Sequence, residues 1–261
     1  MIQPYQNLEY SPEWPVEQQL DLYLPSDVRP EAPLLLFIHG GAWISGDKSE
    51  AKTIAEQISN EGIAVASANY RLSTRPEVKS PHHAQDVAKC YAWLVRNACR
   101  FGYSPKNIFV MGHSVGAHTA GMLATGTFLS DAGVLPPSMP KGFIGLEGIY
   151  DVPLLVQTWP TYREWFVDKA FTCESTWDKG SPTHRHVVIG APWLVAHSAE
   201  DELVDMAQST TFVKHLALEK VPAKLLDDLT GSHDEVISDF SSPLGEKILR
   251  FILDKKSRSA G

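Results

Sequence analysis

Residues 108–118, Ile-Phe-Val-Met-Gly-His-Ser-Val-Gly-Ala-His, join an apolar run to a Gly-x-Ser-x-Gly motif. The apolar start of this stretch predicts a short buried strand, and Val115–Leu123 predicts a helix. Ser114 therefore lies at a sharp strand-to-helix turn, with Gly112 and Gly116 on either side. Such a turn projects a serine for nucleophilic attack, and glycine avoids steric clashes at its flanks. The alternative is an ordinary glycine-rich turn, but the strand-to-helix context favours a nucleophile.

Apolar runs and helical periodicities alternate along the rest of the chain. Strands are predicted at Leu20–Leu24, Pro33–Ile38, Ile63–Ala68, Gly142–Leu146, Trp193–Ala196 and Lys224–Leu226, and helices at Ser49–Asn60, Pro81–Cys99, Asp205–Leu218 and Val236–Leu253. This alternation indicates the α/β class, with a mostly parallel central sheet and helices on both of its faces.

The 261 residues hold no linker-like tract, which predicts a single domain over residues 1–261. One stretch breaks the alternation. Residues 150–191 are rich in Trp, Pro, Thr and charged residues, and they are longer than an ordinary connection. Long irregular connections in compact domains are usually functional loops or lids. We therefore expect a small cap insertion at about residues 150–191.

The sequence His39-Gly40-Gly41-Ala42-Trp43 directly follows the predicted strand that ends at Ile38. Small residues let backbone N–H groups approach a developing oxyanion closely. We predict Gly41 and Ala42 as oxyanion donors, with Gly40 shaping the turn. Taken alone, the stretch could also be a plain strand-to-loop turn with a core tryptophan.

A second donor position follows from the helix after Ser114. The first amides of a helix have no partner within the helix, and they face the nucleophile turn. We predict that the amide of Val115 completes the oxyanion hole.

Asp201 is the expected acid of the catalytic group. It lies on the loop after the strand Trp193–Ala196, between the nucleophile and the candidate base in chain order. Glu200, Glu202 and Asp205 are alternatives on the same loop. A second set of alternatives, Glu147 and Asp151, follows the preceding strand, from which some relatives of this fold draw the acid.

His233 is the expected general base, because it lies in Gly231-Ser-His-Asp234 ahead of the last predicted helix. From a loop there, one ring nitrogen can reach Ser114 while the other donates to the carboxylate. For the nine other histidines a structural role is favoured, although His113 and His118 flank the nucleophile turn. Neither His82-His83 nor His184-x-His186 has a matching set of metal ligands, so we expect no metal site and no cofactor.

The composition excludes several classes of partner. The formal net charge is −8 and there is no basic stripe, which argues against nucleic acid. The longest strongly apolar run, Leu34 to Ile38, is far shorter than the roughly 20 residues that span a bilayer. The three cysteines lack metal-ligand or redox spacing, which suits a reducing compartment. We expect a cytoplasmic protein that acts on a small molecule.

His39-Gly-Gly-Ala-Trp43 resembles the H-G-G-x-W motif of kynurenine formamidases, also called arylformamidases, which are α/β-hydrolases. Gly112-His-Ser-Val-Gly-Ala-His118 resembles their nucleophile turn, and Glu147-Gly-Ile-Tyr-Asp151 their segment before the cap. The resemblance implies the α/β-hydrolase fold and hydrolysis of N-formyl-L-kynurenine to formate and L-kynurenine, a step of tryptophan catabolism. It also implies a triad of Ser114, Asp201 and His233.

Two functional alternatives remain at the sequence level. The fold is shared with carboxylesterases that carry H-G-G-G, so a carboxylesterase acting on short-acyl or aryl esters is one alternative. A non-catalytic ligand-binding protein on the same scaffold is the other. We expect Trp43 and His113 to contact the substrate, with tryptophans of the cap also able to pack against an aromatic leaving group. A homodimer is compatible with the sequence, which does not determine the assembly.

Overall fold

The computed structural model describes residues 4–238, 240 and 242–254. Its sheet has eight strands: β1 (Tyr5–Glu9), β2 (Gln19–Tyr23), β3 (Leu34–Ile38), β4 (Ala64–Ala68), β5 (Ile108–His113), β6 (Phe143–Leu146), β7 (Trp193–Ser198) and β8 (Ala223–Leu229). Their order across the sheet is β1-β2-β4-β3-β5-β6-β7-β8. The pairs β1/β2 and β2/β4 are antiparallel, and all later pairs are parallel.

The helices of the structure are α1 (Lys52–Asn60), α2 (His82–Phe101), α3 (Val115–Thr125), α4 (Phe128–Asp131), α5 (Val152–Thr158), α6 (Asp168–Ala170), α7 (Met206–Leu218) and α8 (Pro243–Leu253). Single turns of 3-10 or π type lie at Lys48–Ala51, Arg163–Val167, Glu174–Thr176, Pro182–His184 and Glu235–Ile237. Within the described residues, no helix combines the length and apolarity that crossing a membrane requires.

The predicted α/β class is confirmed, and the reason is visible in the packing of β3. Leu34, Leu36 and Ile38 enter one apolar layer, and Leu35 and Phe37 enter the other. Successive side chains of a strand point to opposite faces, so a strand covered on both faces must be apolar at every position. Helices α2, α3 and α7 supply the first layer, and α1 and α8 supply the second.

Strand β1 has no counterpart among the predicted elements. Its residues are exposed or half-buried, so it lacks the apolar pattern on which strand prediction relies. The strand is held by antiparallel pairing with β2, and the amide of Asn7 donates to the Asp21 carboxylate at 2.8 Å.

The predicted start of the last helix, Val236–Leu253, was wrong. The structure has a 3-10 turn at Glu235–Ile237 and a separate helix α8 that begins at Pro243. Proline disfavours helical geometry in the residue before it and lacks an N–H, so it suits the first position of a new helix. Ser242 caps α8 by accepting the amide of Gly245 at 3.4 Å.

The parallel arrangement brings the carboxyl ends of β3, β5, β6, β7 and β8 to one edge of the sheet. Ligand sites of open α/β sheets lie at this edge. The loops that leave these five strands carry, in chain order, the Gly40–Ala42 segment, Ser114, Glu147, Asp201 and His233.

A buried ion pair fixes the chain that follows β4. The guanidinium of Arg71 donates to both oxygens of Asp86 on α2 at 2.7 and 2.6 Å, and the amide of Arg71 donates to the same carboxylate at 3.0 Å. Two residues on, the amide of Ser73 donates to the carbonyl of Trp43 at 2.7 Å. The ion pair therefore braces the loop that holds the Gly40–Trp43 segment.

We predict that Asp86→Ala lowers the free energy of unfolding by about 3–5 kcal/mol, because it leaves the Arg71 charge buried without a partner. Urea unfolding followed by circular dichroism measures this change. The control Asp228→Ala breaks an exposed ion pair with Lys247 and should have a much smaller effect. Equal losses in the two variants would contradict the bracing role of the buried pair.

Candidate active site

Ser114 lies in the strained turn between β5 and α3. Its backbone has φ +56° and ψ −120°, a conformation outside the regions that non-glycine residues normally occupy. A Cβ added at Gly116 would collide with the carbonyl oxygen of Ile38, and one added at Gly112 would collide with the backbone of Gly116. The glycines of the motif therefore let β3, β5 and α3 approach closely enough to hold the turn. Strain kept in this way is typical of functional sites.

The Gly40–Trp43 segment presents amides beside Ser114. A Cβ added at Gly40 would lie 3.2 Å from the Cβ of Ser114, which shows how closely the two backbones approach. Gly41, Ala42 and Trp43 all have positive φ angles, of 96°, 53° and 59°. Two of these residues are not glycine, so the segment is strained like the serine turn.

Carbonyl groups of this segment are bound on its far side. The carbonyl of Gly40 accepts from the Tyr70 hydroxyl at 3.3 Å and contacts Nδ1 of His39 at 2.9 Å. The carbonyl of Gly41 accepts the amide and the hydroxyl of Ser45, both at 2.9 Å. In a trans peptide the next N–H points away from the carbonyl. The amides of Gly41 and Ala42 therefore point away from these partners, as oxyanion donors must.

His233 and Asp201 are directly paired. Nδ1 of His233 lies 2.8 Å from Oδ2 of Asp201, and both side chains are buried. The other oxygen of Asp201 accepts the amides of Leu203 and Val204 at 2.8 and 2.9 Å. Because the carboxylate accepts the Nδ1 proton, Nε2 is the basic nitrogen of the His233 ring.

Hydrogen bonds oppose the effect of burial on the Asp201 carboxyl. Burial alone would raise its pKa, but the hydrogen bonds from the His233 side chain and the Val204 amide, together with the nearby Glu147 carboxyl, hold the pKa well below its usual range. Asp201 is therefore a carboxylate throughout the neutral pH range. An anion at this position stabilises an imidazolium at His233 when it forms.

His113 and two acidic residues hold the loop of His233. Nε2 of His113 lies 2.9 Å from the carbonyl oxygen of His233, which can only accept, so this nitrogen carries the proton. Burial and the nearby His233 ring lower the pKa of His113 to about 3, and its ring is neutral. Glu202 accepts the His233 amide at 3.1 Å, and Glu200 accepts the Gly231 amide at 2.7 Å.

The alternative acids have other contacts. Glu200 and Glu202 bind backbone amides of the His233 loop, and Asp205 caps α7. Asp151 caps α5 and lies 2.9 Å from Nε2 of His184. Of the acids named from the sequence, Asp201 is the one with a hydrogen bond to the His233 ring in the described part of the chain.

A cavity of about 480 Å³ opens beside Ser114. Its lining includes Ser114, His113, His233 and the Gly40–Ala42 segment. An apolar group also lines it, made of Ile149, Tyr162, Trp165, Phe166, Leu203 and Val204. Polar groups that converge on an apolar pocket are typical of small-molecule sites.

Three aromatic residues of this lining come from the segment between β6 and β7, and only the tryptophan was anticipated. Tyr162, Trp165 and Phe166 have the spacing i, i+3, i+4, which places them on one face of a helical turn. That spacing was a signal that sequence reasoning could have used. The hydroxyl of Tyr162 donates to the carbonyl of Leu203 at 3.0 Å, which ties this segment to the Asp201 loop.

The structure contradicts direct substrate contact by Trp43. Its side chain is fully buried and is absent from the cavity lining. The ring packs edge-on against His118 and Phe171, with ring centroids 4.9 and 5.3 Å apart, and it also contacts Phe166. Trp43 therefore supports the aromatic lining from beneath, because its positive φ turns the side chain into the core cluster.

Among the residues that the structure describes, two groups of side chains have the proximity that metal binding needs. They are His113, His233 and Asp234, and Glu147, His197 and Asp201. In the first group, Nε2 of His113 is bonded to a carbonyl. In the second, both ring nitrogens of His197 are bonded, to the Ser209 hydroxyl and to the Val204 carbonyl. These bonds give the histidines structural partners, and the absence of a metal stays a prediction.

Comparison with known proteins gives consistent results. The BD-FAE family model matches residues 20–135. A kynurenine formamidase of Aspergillus versicolor is 33% identical over 244 residues, covering 77% of this chain and 82% of that enzyme. An isoprenylcysteine alpha-carbonyl methylesterase of Arabidopsis thaliana is 30% identical, covering 86% of this chain and 58% of its own length. The crystal structure of esterase B from Lactobacillus rhamnosis superposes with a TM-score of 0.82 at 19% identity, covering 96% of this chain and 85% of that one.

We predict that Asp201→Asn lowers kcat by about 10³–10⁴-fold, because an amide no longer stabilises the imidazolium or fixes its tautomer. Steady-state rates with an aryl ester measure the loss. Asp205→Asn is the matched control, since asparagine also caps helices and kcat should stay within about twofold. A larger loss in Asp205→Asn than in Asp201→Asn would assign the acid to Asp205.

Proposed function

Since the chain is a serine hydrolase of the kynurenine formamidase family of α/β-hydrolases, we propose that it hydrolyses an aryl formamide, N-formyl-L-kynurenine, to L-kynurenine and formate. One observation carries this proposal. The cavity that contains Ser114 and His233 is also lined by the aromatic side chains of Tyr162, Trp165 and Phe166. A reactive serine and an aromatic lining in one cavity suit a substrate with a small acyl group on an aryl amine.

The proposed mechanism uses Ser114, His233 and Asp201 as a triad. Nε2 of His233 takes the hydroxyl proton while Oγ of Ser114 attacks the formyl carbon. The amides of Gly41, Ala42 and Val115 stabilise the oxyanion. His233 then gives its proton to the leaving arylamine, and water attacks the formyl-enzyme with His233 again as base. Formate leaves, and the steps require no metal or cofactor.

Specificity in this proposal comes from the leaving group. A formyl group offers almost no surface for recognition, whereas the aromatic ring of kynurenine can pack against Tyr162, Trp165 and Phe166. Glu50 and Asp234 also line the cavity and can pair with the α-ammonium group of the substrate. His113 contacts the substrate or acts through the His233 backbone that it holds.

We predict that Ser114→Ala abolishes turnover of N-formyl-L-kynurenine, because the hydroxyl is the attacking group, while the melting temperature stays within a few degrees of the wild type. The absorbance of kynurenine measures turnover, and differential scanning fluorimetry measures stability. Labelling with a fluorophosphonate probe should be lost in the same variant. Persistent turnover in a folded Ser114→Ala protein would reject the mechanism.

We predict that Trp165→Ala lowers kcat/KM for N-formyl-L-kynurenine by roughly 5- to 30-fold, which corresponds to the loss of about 1–2 kcal/mol of aromatic packing. Ethyl formate has no aryl group, so its kcat/KM should change by less than about twofold. Leu135→Ala removes an exposed apolar side chain outside the cavity lining and serves as the control. Equal losses on both substrates would show that Trp165 does not bind the aryl group.

The second candidate is a carboxylesterase. The similarity to a methylesterase, at 30% identity, favours this candidate. The rates for N-formyl-L-kynurenine and p-nitrophenyl acetate separate the two. An advantage of several orders of magnitude in kcat/KM for the ester would assign the enzyme to esters. The non-catalytic binding protein is not retained as an alternative, because the chain belongs to a family of hydrolases.

We further propose that the enzyme acts in the cytoplasm as a single hydrolase domain whose cap spans about residues 150–191. The three cysteines are free, which suits a reducing compartment. A homodimer is part of this proposal, and analytical ultracentrifugation tests it against the monomer.

A further inference from the structure

Glu147 is a fully buried carboxyl group that the mechanism above does not use. It follows β6, and its backbone has a φ of +48°, which turns the side chain toward the β7 loop. Oε1 accepts the amide of Ser198 at 2.9 Å. Oε2 is buried and accepts no hydrogen bond from the described residues. A buried carboxylate with a single donor is costly, so the protonation of this group needs an explanation.

Asp201 is the nearest carboxyl group. One oxygen of each carboxyl and a ring nitrogen of His197 lie within 4.8 Å of one another. Two carboxyl groups this close do not both ionise, because the second charge would be buried beside the first. The proton therefore belongs to one of them, and their hydrogen bonds decide which.

The donors favour an ionised Asp201. Its oxygens accept two backbone amides and the Nδ1 proton of His233. Glu147 accepts one amide. Burial, followed by the neighbouring Asp201 carboxyl, raises the pKa of Glu147 to about 9. The carboxyl with fewer donors thus keeps the proton at neutral pH.

His197 does not neutralise the pair with a positive charge. Its Nε2 lies 3.3 Å from Oε2 of Glu147 and 3.4 Å from Oδ2 of Asp201, but this N–H is directed at the Val204 carbonyl at 2.9 Å. Nδ1 accepts from the Ser209 hydroxyl. Burial lowers the pKa of His197, so the ring is neutral.

We propose that Glu147 is a positioning residue, a neutral carboxylic acid that donates a hydrogen bond to the Asp201 carboxylate and holds it against His233. This proposal rests on the proposed function, in which Asp201 and His233 act together. The bond fixes the orientation of the carboxylate. It also draws negative charge away from Oδ2, and this moderates the basicity of His233.

Other titratable groups near this cluster are Glu202 on the loop after β7, Tyr150 on the segment after β6, Asp205 near His197, and His113 beside His233. Burial and the nearby Glu147 raise the pKa of Tyr150, whose hydroxyl is therefore neutral. Glu202 reinforces the retention of the proton on Glu147, since it adds negative charge to the neighbourhood.

The test compares Glu147→Gln with Glu147→Leu. Glutamine can accept the Ser198 amide with its oxygen and donate to Asp201 with its nitrogen, so kcat/KM for p-nitrophenyl acetate should fall by less than about threefold. The pKa of the acidic limb of its pH profile should stay within about 0.3 units of the wild type. Leucine cannot donate, so kcat/KM should fall by about 10- to 100-fold. The pKa of the acidic limb should rise by about 0.5–1 unit.

An ionised Glu147 predicts the opposite pH profile. Glutamine would then remove a negative charge near His233, and the pKa of the acidic limb in the pH profile of Glu147→Gln should fall by about one unit. Such a fall would overturn the proposal. Equal losses of kcat/KM in the glutamine and leucine variants would also overturn it, because the donor would then have no effect.

A second readout is independent of activity. A carboxyl whose pKa is higher in the folded state stabilises the fold below its unfolded pKa, and this stability is lost as pH rises toward 9. Glutamine does not titrate, so the melting temperature of Glu147→Gln minus that of the wild type should increase between pH 5 and pH 8. The exposed control Glu77→Gln should show no such increase. A difference that stays level or decreases with pH would contradict a protonated Glu147.

The two readouts separate failure of this inference from failure of the proposed function. If the wild type prefers esters to N-formyl-L-kynurenine, the substrate assignment fails while both tests of Glu147 still apply. If Ser114 does not react with a fluorophosphonate, the triad fails, and the role of Glu147 as a positioning residue falls with it. The melting temperatures then still report whether Glu147 holds the proton.

Discussion

The close approach of three backbones at Ser114 is the constraint on which the rest of the site depends. The first turn of α3 lies against the carbonyl of Ile38 at the end of β3, with no room for a side chain at Gly116. This contact forces Ser114 to a φ of +56° and turns its side chain out of the sheet. It also places the turn beside Gly40, so that the serine and the Gly40–Ala42 amides share one cavity. The surrounding structure can hold this strained backbone, because β3 and β5 lie at the centre of a sheet covered on both faces.

The charge of each titratable group near the cavity depends on its burial and on the hydrogen-bond donors around it. Asp201 accepts two backbone amides and the Nδ1 proton of His233 and is an anion, while Glu147 close by accepts one amide and is neutral. His113 and His197 are neutral because burial lowers their pKa values. The same amino acids in water would carry different charges, so the charge of the site is a property of its hydrogen bonds. As a result, the carboxyl group that is hydrogen-bonded to the His233 ring, Asp201, is ionised.

Residues of the segment between β6 and β7 give the cavity its aromatic character. Tyr162, Trp165 and Phe166 line the cavity, and the buried ring of Trp43 supports Phe166 from the side of the oxyanion segment. The H-G-G-x-W motif thus contributes in two ways. Its small residues line the cavity beside Ser114, and its tryptophan packs against Phe166 of the aromatic lining. One continuous cluster of apolar side chains therefore connects the segment between β6 and β7 to the serine turn.

The sequence by itself determined the α/β class, the strands from β2 to β8, and the positions of Ser114, Asp201 and His233 at strand ends. These features are local, because apolar runs, glycine spacing and chain order follow from short-range sterics and from which faces are buried. It did not determine strand β1, which lacks an apolar pattern and is held by its pairing with β2. Nor did it determine that α8 begins only at Pro243. Only the tertiary structure decided that Trp43 is buried, that Tyr162 and Phe166 line the cavity, and that Glu147 lies beside Asp201. Those outcomes depend on side chains more than 50 positions apart in the chain, as Glu147 and Asp201 are, and contacts at such separation are fixed by packing rather than by any local pattern.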